Sequence, residues 1–393
     1  MYAREIYGMM MAGAMLLIAG CSADDVVKET TSERAIAISF SCNYDDDEEE
    51  NITRAGYQGM MNTEDLWTTG FGVMASVSDT KEPKMMYNQE VEFTHVGDMI
   101  QPDPLDPESQ PKGFWSYSPQ KYWPNTITDF YVSAYAPYMK PADLEGLPGG
   151  ETGIIGISAN NEVPYVDYRR CEKPSEVVDL LWYYVEPASI PAATEQQPRG
   201  TLAMKMRHAL ARLEIKVALE SDPGTTKVLI EKITLTGKMA KTGRLSLSSQ
   251  ETAGSGVDTK YYPVWSNQVF DKNGGGAEID HTFQITNIDN DAESYGIIES
   301  QVRYIPGLPY GWQPAGLSTT PQDALNTGDR KGYIYLIPQS TLSLTVVVKY
   351  KKWVSGEDAP TTGEKTTTAL TTTVANPLKG NTTYTLNLTL SGI

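Results

Sequence analysis

Histidine and cysteine are scarce in this chain: each occurs three times in 393 residues. His95, His208 and His281 stand far apart, without the spacing that a metal site or a nucleophile and its base would need. His208, inside an apolar stretch, is read as a hydrogen-bonded core residue. Neither GxSxG, HExxH nor a P-loop occurs. Gly274-Gly275-Gly276 lacks the strand-to-helix setting in which glycines cradle phosphate, so it reads as a turn. Carboxylates are so plentiful that some pair must lie close by chance, and no glycosidase dyad can be inferred. The expectation is a protein that is not an enzyme and has no cofactor. Basic charge is also in deficit, with 32 Lys and Arg against 50 Asp and Glu and a net charge of −18. That argues against nucleic acid and anionic membrane surfaces as partners and for a self-repelling, soluble exterior. Long runs with a 3.6-residue period are scarce too, which argues against a helical fold.

What is present is Tyr (23), Gly (33), Pro (24) and clustered Thr, the composition of an all-β secreted protein. The apolar run from Met9 to Ala19 is too short to span a bilayer and follows a lone Arg4, so residues 1–21 read as a signal peptide. It closes with Leu17-Ile18-Ala19-Gly20-Cys21, the pattern of a bacterial lipobox. Small residues there let a signal peptidase reach the backbone, and the Cys21 thiol is then acylated. Ser22-Ala23-Asp24-Asp25 follows and is similar to acidic signals that send lipoproteins to the cell surface. Cys42 and Cys171 remain. A disulfide between them would tie the first strand to the body, and none is expected.

The stretch Arg34 to Ala55 organises the chain. Ile36, Ile38, Phe40 and Cys42 fall on one face of a short strand, with Ala35, Ala37, Ser39 and Ser41 on the other. The run Asp45 to Glu50 lacks the alternating ligands of a calcium loop and reads as a solvated link to Arg54. Near the other end, Tyr384, Leu386, Leu388 and Leu390 alternate with Thr385, Asn387 and Thr389 in the same layout. Two strands of one pattern can compete for one groove. The first is read as a removable leader, and the last as the donor strand that replaces it in a neighbouring subunit.

Between them the sequence predicts short strands at Trp67 to Val77, Thr126 to Tyr138 and Asp179 to Val185, with a proline-rich loop at Gln101 to Pro111. Pro187 to Arg199 has no periodicity and marks a domain boundary. Leu202, Met204 and Met206 alternate, as do Leu213, Ile215, Val217 and Leu219, with a bend at His208 to Ala211. Further strands are expected at Val228 to Leu235, Arg244 to Ser248, His281 to Ile288, Tyr333 to Ile337, Leu342 to Lys352 and Tyr384 to Leu390. This spacing suggests two β-sandwiches. The division expected is a signal peptide (1–21), a leader (22–54), an N-terminal sandwich (55–198) and a C-terminal sandwich (199–393). Trp67, Trp123 and Trp182 stand beside apolar strands and read as core.

Several motifs together resemble the fimbrillin family of type V pilins. They are the lipobox, Thr53-Arg54-Ala55, Lys121-Tyr122-Trp123-Pro124, Asp179-Leu180-Leu181-Trp182, and Met206-Arg207-His208-Ala209-Leu210-Ala211. Tyr335-Leu336-Ile337-Pro338-Gln339 and Leu378-Lys379-Gly380-Asn381-Thr382-Thr383-Tyr384 complete them, so the resemblance spans nearly the whole chain. It implies two tandem transthyretin-like sandwiches with a cleavable N-terminal leader strand. It also implies export to the outer membrane as a lipoprotein, trimming by an arginine-specific protease, and polymerisation into fimbriae by donor-strand exchange. Partners would be other fimbrial subunits and host or bacterial surface ligands.

Arg54 is the expected cut, because only a break there frees the leader, and it predicts a mature N-terminus at Ala55. Other readings are an anchor subunit that keeps its leader and lipid, and a monomeric surface lipoprotein that binds glycans through exposed aromatics.

Overall fold

The computed structural model describes residues 37–44, 61, 63–76, 85–96, 113–123, 130–145, 147, 152–171, 178–185 and 201–220. It further describes 226–255, 259–270, 272–273, 277–278, 281–286, 302–303, 313–314, 322–323, 333–354, 365–366 and 370–391. The signal peptide, Cys21, Ile36, the acidic run 45–50, Arg54, Ala55, the loop 101–111, the linker 187–199 and Gly274 to Gly276 lie outside the described residues.

In chain order the elements are β1 (Ser39–Tyr44), α1 (Thr63–Thr69), β2 (Phe71–Ser76), β3 (Met86–His95), β4 (Gly113–Ser116) and β5 (Tyr131–Ala136). There follow α2 (Pro141–Leu144), β6 (Gly153–Ile157), β7 (Tyr165–Arg169), β8 (Leu181–Val185), β9 (Thr201–His208) and β10 (Ala211–Leu219). Next come β11 (Thr226–Gly237), β12 (Ala240–Ala253), β13 (Lys260–Phe270), β14 (Lys272–Asn273), β15 (Ala277–Glu278) and β16 (His281–Thr286). The last are β17 (Val302–Arg303), β18 (Gln313–Pro314), β19 (Gln322–Asp323), β20 (Ile334–Leu336), β21 (Leu342–Val354), β22 (Lys365–Thr366), β23 (Leu370–Ala375) and β24 (Thr382–Leu390). The fold is all-β, as the sequence predicts.

One seven-stranded sheet runs in the order β1-β9-β8-β5-β2-β3-β4. Its middle strands are buried on both faces: all six residues of β2 are buried, as are five of six in β5. Phe71, Val73, Val132, Ala134 and Tyr183 point into one core with Leu202, Met204 and Met206 of β9. Met74, Tyr135, Trp182 and Tyr184 point into a second core, against the sheet β13-β12-β7-β6. A third core lies between the strands around β10 and those around β11 and β21.

Strands from both sides of residue 198 share two of these sheets. β9 pairs with β8, and β12 pairs with β7 in the register Arg244↔Asp167. The predicted strand from Trp67 is corrected: Trp67 lies in helix α1, which ends where Gly70 takes φ +62° and donates its N–H to the Leu66 carbonyl. A Cβ at Gly70 would lie 2.6 Å from the Val91 carbonyl oxygen, so the turn between helix and strand requires glycine.

The stretch 201–220 serves all three cores. Leu202, Met204 and Met206 fill the first, Ala209 and Leu210 the second, Leu213 and Ile215 the third. The bend predicted at His208 to Ala211 is the two-residue break between β9 and β10.

Candidate functional site

The first strand is a guest on β9. β1 runs parallel to it, from Ser39 opposite Thr201 to Tyr44 opposite Met206. Ser39 Oγ lies 2.6 Å from Thr201 Oγ1 on the outer face. On the inner face Ile38, Phe40 and Cys42 are buried to 1%, 5% and 4% exposure. The alternation Ile38/Phe40/Cys42 against Ser39/Ser41 is therefore the alternation of core and surface.

A second wall closes the other side. The Ile38 N–H donates to the Lys121 carbonyl at 2.9 Å, and Ala37 bridges Tyr122. Tyr117 Oη and Gln120 Nε2 both donate to the Ile38 carbonyl at 2.8 Å. Since Tyr117 to Tyr122 follow β4 at the far end of the sheet order, β1 joins the sheet's two ends along a seam. Phe40 fills the aromatic floor of that seam, 6.2 Å from the Phe71 ring and 5.3 Å from Tyr117. Burial pushes the Cys42 thiol up to about 12, because a thiolate there would have no solvent. Cys42 and Cys171 are both buried, in different cores, and are not joined in a disulfide.

The sequence pattern identified β1 but missed its walls. Tyr117, Gln120 and Lys121 reach Ile38 across about eighty residues, and no local periodicity carries such a contact. The motif Lys121-Tyr122-Trp123-Pro124 is the trace of it, since it holds the bridge residue and the buried Trp123.

The closing strand is a guest as well. β24 runs parallel to β10 over nine residue pairs, from Thr382 opposite Ala211 to Leu390 opposite Leu219. Leu386, Leu388 and Leu390 are buried, and Tyr384 is partly buried against the same core. Tyr384 Oη accepts the Lys379 N–H at 2.9 Å, and the Leu390 carbonyl accepts the Glu220 N–H at 2.9 Å. In this chain the two strands occupy neighbouring seats, β1 on β9 and β24 on β10.

Between the seats, His208 Nδ1 lies 2.5 Å from Asp179 Oδ2, with both residues buried. Among the described residues no group of three or more His, Cys, Asp or Glu could hold a metal ion.

The sequence from 53 to 393 matches the family model described as fimbrillin-like, and the chain belongs to that family. The family is a structural one and not enzymatic, and membership in it implies a place at the cell surface or in a fimbrium.

Comparison with curated proteins finds no match. Among solved structures, the chain is similar to a fimbrial protein from Bacteroides vulgatus, with 16% identity, a TM-score of 0.49, and 90% of this chain and 95% of that one covered. It is also similar to a fimbrial protein from Bacteroides ovatus, with 10% identity, a TM-score of 0.33, and 91% and 50% covered. The family assignment rests on the sequence match.

Proposed function

We propose that this chain is a subunit of a surface fimbria, exported as a lipoprotein through Cys21, trimmed after Arg54 and assembled by strand exchange. The observation that carries the reading is the seat of β1. Burial of Ile38 and Phe40 contributes roughly 3–6 kcal/mol, at about 1.5–3 kcal/mol for each side chain. Ladder bonds to β9 add about 1 kcal/mol apiece. A strand so bound holds the seam shut, and its loss leaves two unpaired edges over an apolar floor.

Cleavage after Arg54 removes the tether and with it the leader's high effective concentration. A strand of like pattern from another subunit then completes the sheet, a mode known from chaperone–pilin donor-strand complementation. The supply is β24. It must leave its own β10 to serve, so the exchange moves one strand between two seats. The aromatic position favours the move: Phe40 is buried in the β9 seat, whereas Tyr384 is only partly buried on β10. Each contact joins the tail of one subunit to the seam of the next. Such a contact is heterologous and does not close, so it yields a filament. The lipid on Cys21 holds the precursor at the outer membrane until the cut.

The test is digestion of purified precursor with an arginine-specific protease, followed by N-terminal sequencing and size-exclusion chromatography. The expected result is a new N-terminus at Ala55 and a ladder of oligomers, both abolished in Arg54→Ala. Trimmed protein that stays monomeric overturns strand exchange, and a mature N-terminus before the leader strand overturns the cut site.

A further inference from the structure

The two guest strands match residue by residue once their hosts are aligned. In β1, Ser39-Phe40-Ser41-Cys42-Asn43-Tyr44 lies opposite Thr201-Leu202-Ala203-Met204-Lys205-Met206. In β24, Thr383-Tyr384-Thr385-Leu386-Asn387-Leu388 lies opposite Arg212-Leu213-Glu214-Ile215-Lys216-Val217. Each guest reads hydroxyl, aromatic, hydroxyl, apolar, Asn over its first five positions, and the two part at the sixth, Tyr44 against Leu388. In register its aromatic lies opposite a Leu of the host in both cases (Leu202, Leu213), and its Asn lies opposite a Lys (Lys205, Lys216). Alternation alone would be satisfied by any shift of two residues. The coincidence of aromatic, Asn and host Lys selects one.

We infer that the tail of a neighbouring subunit enters the vacated β9 seat in this one register, parallel, with Thr383 opposite Thr201 and Tyr384 opposite Leu202. This rests on the strand-exchange reading and specifies it. Tyr384 takes the place of Phe40 on the floor formed by Phe71 and Tyr117, which makes it the residue that fixes register. Thr383 brings its hydroxyl to the position from which Ser39 meets Thr201. Asn387 comes opposite Lys205, as Asn43 is. Continuing the ladder sets Leu388 opposite Met206 and Leu390 opposite His208, so the tail's apolar residues use β9 to its last position. A shift of two residues either way would take the single aromatic of the tail off the Phe40 position and set a leucine or a threonine there.

The register can be read with paired cysteines in the full chain. In one molecule Thr383 lies opposite Arg212 and not Thr201, so a disulfide between positions 201 and 383 joins two subunits. Thr201→Cys/Thr383→Cys protein, trimmed with the protease and mildly oxidised, is expected to give covalent oligomers whose linked peptides contain both positions. Thr201→Cys/Thr385→Cys and Thr201→Cys/Asn381→Cys should give at least tenfold less. Oligomers that cross-link best through 385 or 381 overturn the register and leave strand exchange standing. Absence of oligomers with every pair overturns both. As a second readout, Tyr384→Phe should retain oligomer yield and Tyr384→Ser reduce it at least tenfold. Equal yields from the two would overturn the anchoring role.

Discussion

His208 and Asp179 meet fully buried at the break between β9 and β10, with Nδ1 of the histidine 2.5 Å from Oδ2 of the aspartate. That carboxylate also accepts the N–H of Met61 at 3.1 Å and, through Oδ1, the N–H of Leu180 at 2.8 Å. One side chain thus ties the host strand, β8 and the segment that leads from the expected cut site into α1. Removing it takes a carboxylate away from the His208 ring and from two backbone donors in a buried place. Asp179→Ala is expected to lower stability by about 3–5 kcal/mol, the range for breaking a buried pair. Asp179→Asn keeps the shape and one acceptor and should cost less. Urea denaturation of the untrimmed protein checks both, and an Ala variant within 1 kcal/mol of the parent would show the pair to be dispensable.

Gly380 guards the same junction from the other side. A Cβ there would collide with the Ala209 carbonyl oxygen and the Pro263 ring. That carbonyl accepts the Trp265 Nε1–H at 3.0 Å, while the Asn381 N–H donates to the Leu210 carbonyl at 3.1 Å. Gly380→Ala should therefore destabilise by about 1–3 kcal/mol through overpacking. Trp265→Phe should cost about 1 kcal/mol for the lost bond. Thermal melts of the two variants test the order: a Gly380→Ala protein as stable as the parent would mean that the junction yields.

How far the sequence carries depends on burial geometry. β9, β21 and β24 have one buried face, so Leu202/Met204/Met206, Leu342/Leu344/Val346/Val348 and Leu386/Leu388/Leu390 alternate openly and are legible. β2, β5 and β8 are buried on both sides, and a strand covered on both faces reads as a continuous apolar run whose ends no period marks. Helix α1 spans seven residues, too few to show a helical stripe, so the sequence pattern merges Trp67 with the strand that follows. The β1 pattern was legible and its register was not. Register needs the host strand, and the host lies some 160 residues away. Separations of about eighty residues likewise hide the Tyr117–Lys121 wall and the pairing of β7 with β12.

Phe40 is the largest side chain that the leader contributes to the described core, and its removal tests how firmly β1 holds the seam. Phe40→Ala leaves a cavity between Phe71 and Tyr117 and is expected to cost the untrimmed protein about 3–5 kcal/mol in urea unfolding. Protein trimmed and freed of its leader should unfold identically whether it came from the parent or the variant. A variant that destabilises both forms equally would place the effect outside the seat.

Cys42 supplies a pH signature of the docked leader. Burial raises its thiol from an ordinary value near 9 to about 12, so the docked strand holds its proton more tightly than the released strand does. Below about pH 9 both states are protonated, and the group adds no pH dependence. Between about 9 and 12 only the released strand sheds the proton, so docking weakens as pH rises, by about 1.4 kcal/mol per unit at most. The difference in melting between the parent and Cys42→Val, followed from pH 8 to pH 11, isolates this term from other ionisations. It should be constant up to about pH 9 and then move against the parent. Alkylation gives an independent check. At pH 8 burial keeps the thiolate population of docked Cys42 far below that of the free strand, so modification should be slow until the leader is cut and released. A flat melting difference together with rapid alkylation of untrimmed protein would mean that Cys42 does not face the core.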